Sequence, residues 1–292
     1  TFVTTAVATA GGLAGGDGTI THLPGTDITA VALDGADAWV LADRRTLYRV
    51  TDSGATAVAD LPEAAGECLA VHRGTVWVGG SRARVWCLVD DRFERVTAFD
   101  TAPTSDAWTT PWGGPPDIFS MASDGTHLYV NVHVGGIIRT TDATVWEATI
   151  DLHDDVHHVV AARPGVLWAA TGQRGLAESH DRGDTWRYHT EGLFSPYALA
   201  VAPVDDGAIV AVASGPGHGR GAVYRLDAET LHRAVGFPDD RRGAVGPRQL
   251  AAAGRRAVAA LGSTLYESTD GGYTWTVAAE GLPEVREVVL AG

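Results

Sequence analysis

One short pattern constrains this chain more than any other, because it is written twice with almost no change. Leu176-Ala177-Glu178-Ser179-His180-Asp181-Arg182-Gly183-Asp184-Thr185-Trp186 and Leu265-Tyr266-Glu267-Ser268-Thr269-Asp270-Gly271-Gly272-Tyr273-Thr274-Trp275 share Ser-x-Asp-x-Gly-x-Thr-Trp behind an apolar lead-in. A third copy, Ile138-Arg139-Thr140-Thr141-Asp142-Ala143-Thr144-Val145-Trp146, is one residue short and lacks the Gly, and fainter copies lie at 47–56 and 223–230. The residue types describe a hairpin turn. Asp181 and Asp270 offer a carboxylate to backbone N–H groups, and Ser179 and Ser268 add a hydroxyl bond. Gly183 and Gly272 supply a positive φ. Thr185 and Thr274 open the next strand, and Trp186 and Trp275 bury a ring against a neighbouring sheet. A catalytic role for the two Asp competes with this reading, but a carboxylate consumed by its own turn has little left for chemistry.

Between these turns the chain alternates short apolar strands with turn residues every 8–12 positions and shows no helical period, the pattern of an all-β fold. Grouping the strands in fours, A to D, puts the start of successive A strands near Asp27, Glu67, Asp117, Asp155, Tyr197, Arg248 and Val285. The spacings are 40, 50, 38, 42, 51 and 37 residues, the length of a propeller blade. Residues 285–290 read as an A strand with nothing after it, and 2–7 as a B strand with nothing before it. Pairing these two closes a ring of seven blades, with six as the runner-up, and makes 1–292 one β-propeller domain.

The paired Ser-x-Asp-x-Gly-x-Thr-Trp segments resemble the Asp-box of BNR-repeat propellers. The stretch from Val134-Gly135-Gly136 through Asp155-Val156-His157 to Tyr197 resembles a group of BNR propellers labelled sialidase-like or glycosyl hydrolase. The resemblance implies a propeller whose Asp-boxes are structural and whose ligand sits elsewhere. In that fold the D–A and B–C loops ring the channel mouth, while the C–D turns lie on the opposite face.

Acidic side chains outnumber basic ones, 36 to 22, for a formal net charge of −14. Every basic residue is Arg; there is no Lys. This balance argues against nucleic acid and anionic membranes, which require concentrated cations. No apolar run reaches the roughly 18 residues of a membrane helix. The Asp-rich, Lys-free composition resembles proteins of salt-loving archaea, so a high-salt cytoplasm is expected, with secretion left open. Cys68 and Cys87 read as small core residues rather than a disulfide. A monomer is expected.

Three loop clusters should reach the mouth. The long D–A loop 102–117 carries Trp108 and Trp112, whose faces can stack on a ring or pin the loop to the blades. Asn131 and His133, where one blade's B strand enters its B–C loop, should meet Asp155 and His157 at the start of the next blade. His133, Asp155 and His157 can ligate a divalent metal or act as a carboxylate–imidazole acid–base pair; the competing reading is a polar rim. Strict alternation puts Asp155 and His157 on one side and His158 on the other. Arg174, in the loop Thr171-Gly172-Gln173-Arg174-Gly175, suits an anionic group, with Tyr197 and Arg248 further round. The Gly-rich run 214–221 and the charged run 239–248 read as a lid or solvated face. Function then divides in two. One reading is a binding or scaffold module for a small molecule, glycan or protein. The alternative is a glycoside hydrolase-like or metal-assisted hydrolase or lyase built on the His/Asp cluster, with a divalent metal as its cofactor. Whether the chain is an enzyme stays open at this level.

Overall fold

Alternating apolar segments punctuated by Gly and Asp become strands of two to eight residues, joined in hairpins. The computed structural model describes residues 5–216, 219–238 and 243–291. The strands form seven four-stranded antiparallel sheets, each ordered A-B-C-D. Blade 2 runs Ile28–Asp34, Asp37–Ala42, Thr46–Thr51 and Gly54–Asp60. Blade 3 is Gly66–His72, Thr75–Gly80, Arg84–Val89 and Arg92–Arg95. Blade 4 is Ile118–Ser123, Leu128–Val132, Gly136–Thr140 and Glu147–Ala148. Blade 5 is Val156–Arg163, Val166–Thr171, Gly175–Ser179 and Arg187–His189. Blade 6 is Tyr197–Val204, Gly207–Ala213, Gly221–Asp227 and Thr230–Arg233. Blade 7 is Leu250–Ala253, Arg256–Leu261, Thr264–Ser268 and Thr276–Ala279.

Blade 1 is built from both ends of the sequence. Its A strand, Val285–Leu290, pairs antiparallel with its B strand, Thr5–Thr9, placing Val7 opposite Val288. Its C and D strands are Gly12–Ala14 and Ile20–His22. The A strands touch one another all the way round the ring, blade 7 to blade 1 and blade 1 to blade 2 included. The protein is therefore a seven-bladed β-propeller, as the A-strand spacing implied. Of the strand expected at 2–7, Phe2, Val3 and Thr4 lie outside the described residues, as do Gly217, His218 and the run Asp239-Asp240-Arg241-Arg242. Three short 3-10 turns, at Thr97–Thr101, Ser105–Ala107 and Leu152–Asp154, are the helical elements among the described residues.

The outer D strand is the least buried strand of each blade. In blade 6 the A, B and C strands are almost wholly buried, while the D strand is mostly exposed. The inner strands crowd towards the axis, so small residues such as Ala198, Ala200 and Ala211 fill the contacts between neighbouring blades.

The repeated turns close on themselves. Asp270 Oδ1 accepts the N–H groups of Tyr273 and Thr274, each at 3.0 Å, and Oδ2 accepts the Thr274 hydroxyl at 2.6 Å. Asp181 accepts the Thr185 amide and hydroxyl at 2.8 and 2.6 Å. These bonds from Thr185 hold the Asp181 carboxyl down at about 2. The Trp275 indole donates to Gly272 O at 2.9 Å, and Trp186 does the same to Gly183 O at 3.1 Å. The shortened copy makes the same closure, with Trp146 donating to Ala143 O and Ala143 itself at φ 66°.

One departure from regular pairing repeats around the mouth. In six blades the A strand carries one extra residue near its start, unopposed on the B strand. These residues are Arg286, Thr29, Glu67, Phe119, His157 and Leu199 in blades 1 to 6. A β-bulge of this kind bends the strand and re-aims its side chains.

Candidate functional site at the channel mouth

The structure draws together three side chains from two blades. His133 follows the B strand of blade 4, and its amide donates to Asp117 O at 3.0 Å. Asp155 links the 3-10 turn Leu152–Asp154 to the A strand of blade 5 and takes a left-handed φ of 53°. His157 is the bulged residue of that strand. All three are buried. His133 Nε2 lies 3.5 Å from Asp155 Oδ1, and His157 Nε2 lies 3.5 Å from Asp155 Oδ2. One donor atom from each residue falls within 4.8 Å of the other two.

The bulge changes what alternation implied for the neighbouring histidines. His157 Nδ1 donates to Ala198 O at 2.6 Å, while His158 Nδ1 accepts the Val201 amide at 3.3 Å. Both imidazoles therefore face blade 6, instead of pointing to opposite sides, because the extra residue breaks the period of two.

Because His157 Nδ1 is engaged by Ala198 O, Nε2 is the ring atom turned to the carboxylate. Burial pushes His133 down to about 4; Asp155 opposes that shift and His157 adds to it, so the His133 ring is neutral near pH 7. Asp155 Oδ1 and His133 Nδ1 are buried without a hydrogen-bond partner. A buried carboxylate flanked by two imidazole nitrogens at 3.5 Å, with one oxygen lacking a hydrogen-bond donor, is a polar group that a bound cation would satisfy. Two N or O ligands on one tetrahedral ion sit about 3.3 Å apart, close to the two 3.5 Å separations. Two imidazoles and one carboxylate suit a divalent transition metal and leave coordination positions open.

Aromatic rings border the cluster. Phe119, the bulged residue of blade 4, lies with its ring 4.0 Å from that of His133. The Trp112 ring makes a T-shaped contact with His133, centres 5.6 Å apart, and is 72% exposed. Tyr197 lies 4.8 Å from His157, and burial together with the Asp155 charge raises its phenol. Gly172, opposite in the blade 5 B–C loop, leaves no room for a side chain. A Cβ there would stand 3.0 Å from both Asp155 Cγ and His157 Cε1.

Other residues singled out from the sequence lie apart from this cluster. Asn131 is fully buried and braces blades 4 and 5, donating to Ser120 Oγ and Val156 O. Trp108 is buried in the core against Phe99, with its indole donating to Thr104, so it pins the long loop. Arg174 sits 3.7 Å from Asp154 and stacks on Tyr188, 3.4 Å from the ring centre. Arg248 lies in the central channel, 3.3 Å from the buried Glu287, whose other partner is the Val31 amide. That channel holds a cavity of about 570 Å³, lined by the A strands of blades 4 to 7 and 1, with His158, Arg248 and Glu287 among its polar groups. The three clustered residues do not line it. Ser179, Ser268 and the remaining repeat residues stay in their turns. Sequence reasoning passed over Phe119, Gly172 and Glu67. Burial raises the Glu67 carboxyl despite Arg44 and Arg248, with Asp117 adding to the rise. A carboxylate at the start of an apolar inner strand was the available signal.

No protein-family model matches the chain, and no curated protein matches its sequence. Solved structures with the same fold include a GH74 enzyme from Niastella koreensis, at TM-score 0.62 and 15% identity over 94% of this chain. They also include the GH74 xyloglucanase from Xanthomonas campestris, at TM-score 0.61 and 17% identity over 86%. The chain spans 46% and 45% of those two enzymes. Virginiamycin B lyase from Staphylococcus aureus aligns at TM-score 0.58 and 9% identity, covering 89% of this chain and 82% of the lyase. At these identities the likeness defines the class, a seven-bladed propeller shared by hydrolases and a lyase.

Proposed function

We propose that residues 1–292 form one BNR/Asp-box-type propeller domain acting as a binding module. Its mouth, between blades 4 and 6, holds a divalent metal ion on His133, Asp155 and His157 and presents it to a small molecule or glycan. One observation carries the reading. The buried Asp155 carboxylate faces two imidazole nitrogens 3.5 Å away, and Oδ1 has no hydrogen-bond donor. A second reading, a metal-assisted hydrolase or lyase, is supported by the same donor set, which leaves positions open for a water or substrate oxygen. The acidic, Lys-free composition supports a salt-rich setting for either.

The test is calorimetric titration of chelator-treated protein with Zn²⁺ and Mn²⁺, alongside Asp155→Asn and His157→Ala. One equivalent of tightly bound metal in the parent protein, lost in both variants, is the expected result. Absence of stoichiometric binding by the parent, or equal binding by the variants, refutes it.

A further inference from the structure

Charge at the cluster restricts what a bound metal accepts as its next ligand. A divalent ion with one carboxylate and two neutral imidazoles carries a net charge of about +1. Its surroundings are apolar and aromatic: Phe119 packs on His133, Trp112 makes a T-shaped contact with it, and Tyr197 lies beside His157. A low-dielectric wall raises the cost of leaving that charge uncompensated. Arg174 and Arg248, the cations that the sequence offered for an anionic ligand, are held by Asp154 and Glu287. An anion here is gripped by the metal and not by an arginine. Trp112, 72% exposed and 5.6 Å from the His133 ring, leaves aromatic surface open beside the cluster. Surface of that kind favours a flat or ring-shaped group.

We propose that the ligand of this centre is a monoanionic carboxylate borne on a ring. One carboxylate oxygen completes the metal's coordination, the Tyr197 hydroxyl donates to the other, and the ring stacks on Trp112. This assignment rests on the metal-binding reading above and deepens it by naming the ligand's chemistry.

Four probes separate the parts: benzoate, its neutral isostere benzamide, acetate as a carboxylate without a ring, and benzoate offered to metal-free protein. Affinities are measured by calorimetry on the full chain, after metal stoichiometry has been established. Benzoate should bind the loaded protein at least roughly 10-fold more tightly than benzamide, or than benzoate binds the metal-free protein. Trp112→Ala should weaken benzoate roughly 5-fold while leaving acetate unchanged, in keeping with the size of an aromatic pair. Tyr197→Phe should weaken both carboxylates and leave metal affinity unchanged. Loaded protein that binds benzamide as well as benzoate, or ignores both, overturns the ligand assignment and leaves the metal site standing. Benzoate binding that does not depend on metal also overturns it. Protein that takes up no metal removes both claims together.

Discussion

Gly172→Ala is the most selective perturbation of the mouth, because its consequence follows from two distances. The new Cβ would lie 3.0 Å from Asp155 Cγ and from His157 Cε1, where ordinary contact begins at 3.4 Å. Each group must therefore retreat by at least 3.4 − 3.0 = 0.4 Å, and the carboxylate oxygen facing Gly172 must move further. Metal–ligand distances tolerate only about 0.2 Å. The displacement is thus about twice what coordination absorbs, and loss of an oriented ligand typically weakens metal binding roughly 10- to 100-fold. The fold should survive. Gly172 does not occupy a left-handed conformation, so a methyl group there restricts the unfolded chain, which offsets part of the local crowding. Calorimetric Zn²⁺ titration gives the affinity, and thermal unfolding in chelator gives the stability of the metal-free form. An unchanged Zn²⁺ affinity in a folded Gly172→Ala variant would refute the reasoning that the loop was kept bare for the cluster.

Asp270→Ala removes the acceptor for two amides and two hydroxyls and should cost ~1–3 kcal/mol in denaturant unfolding. With Asp270→Asn, the pH dependence has a definite sign. Burial alone would raise the Asp270 carboxyl, but the bonds from Thr274, Ser268 and Tyr273 together hold it at about 2, against an ordinary 3.8. Its stabilisation is therefore complete above pH 3.8 and disappears as pH falls through 2, so parent and variant unfolding curves should converge in that window. Arg225 is fully buried, pairs through one nitrogen with the exposed Asp206 and has two nitrogens without partners. Arg225→Met should leave Tm unchanged or raise it, and a fall of several degrees would contradict that view of the guanidinium. With a net charge of −14, Tm should climb as KCl is raised from low to molar concentration, through screening of like charges. A flat salt response would remove the composition argument.

The architecture was legible because its signals are local and repeated. Ser-x-Asp-x-Gly-x-Thr-Trp marks C–D turns, and apolar alternation placed the A strands within two residues of where they occur, Leu250 being the furthest from its expected start at Arg248. Ring closure was legible from one unpartnered strand at each end. The bulges were not, because no residue type announces them: Arg, Thr, Glu, Phe, His and Leu all occupy that position. The orientation of His158 was misread for this reason. His133, Asp155 and His157 could be brought together on paper because blade connectivity alone sets a B–C loop beside the next D–A loop. Trp108 and Trp112 could not be told apart, since both sit in the same Pro- and Gly-rich loop and only packing against Phe99 buries the first. The partners of Arg174 and Arg248 were equally hidden. Asp154 is close to Arg174 in space because of the fold, and Glu287 reaches Arg248 only once the ring is shut.

The extra residue at the head of each of six inner strands separates two demands that usually conflict. Because it has no opposite number on the B strand, exchanging it disturbs no cross-strand partner and shifts no register. Six positions at corresponding places in the ring are thereby freed from strand pairing, although their side chains still meet other elements, as Thr29 meets the Arg44 amide and His157 meets Ala198 O. A library randomised at the partly exposed Arg286, Glu67 and Phe119 should yield folded proteins more often than one randomised at the neighbouring paired residues. That makes this barrel of sheets a natural chassis for new recognition surfaces.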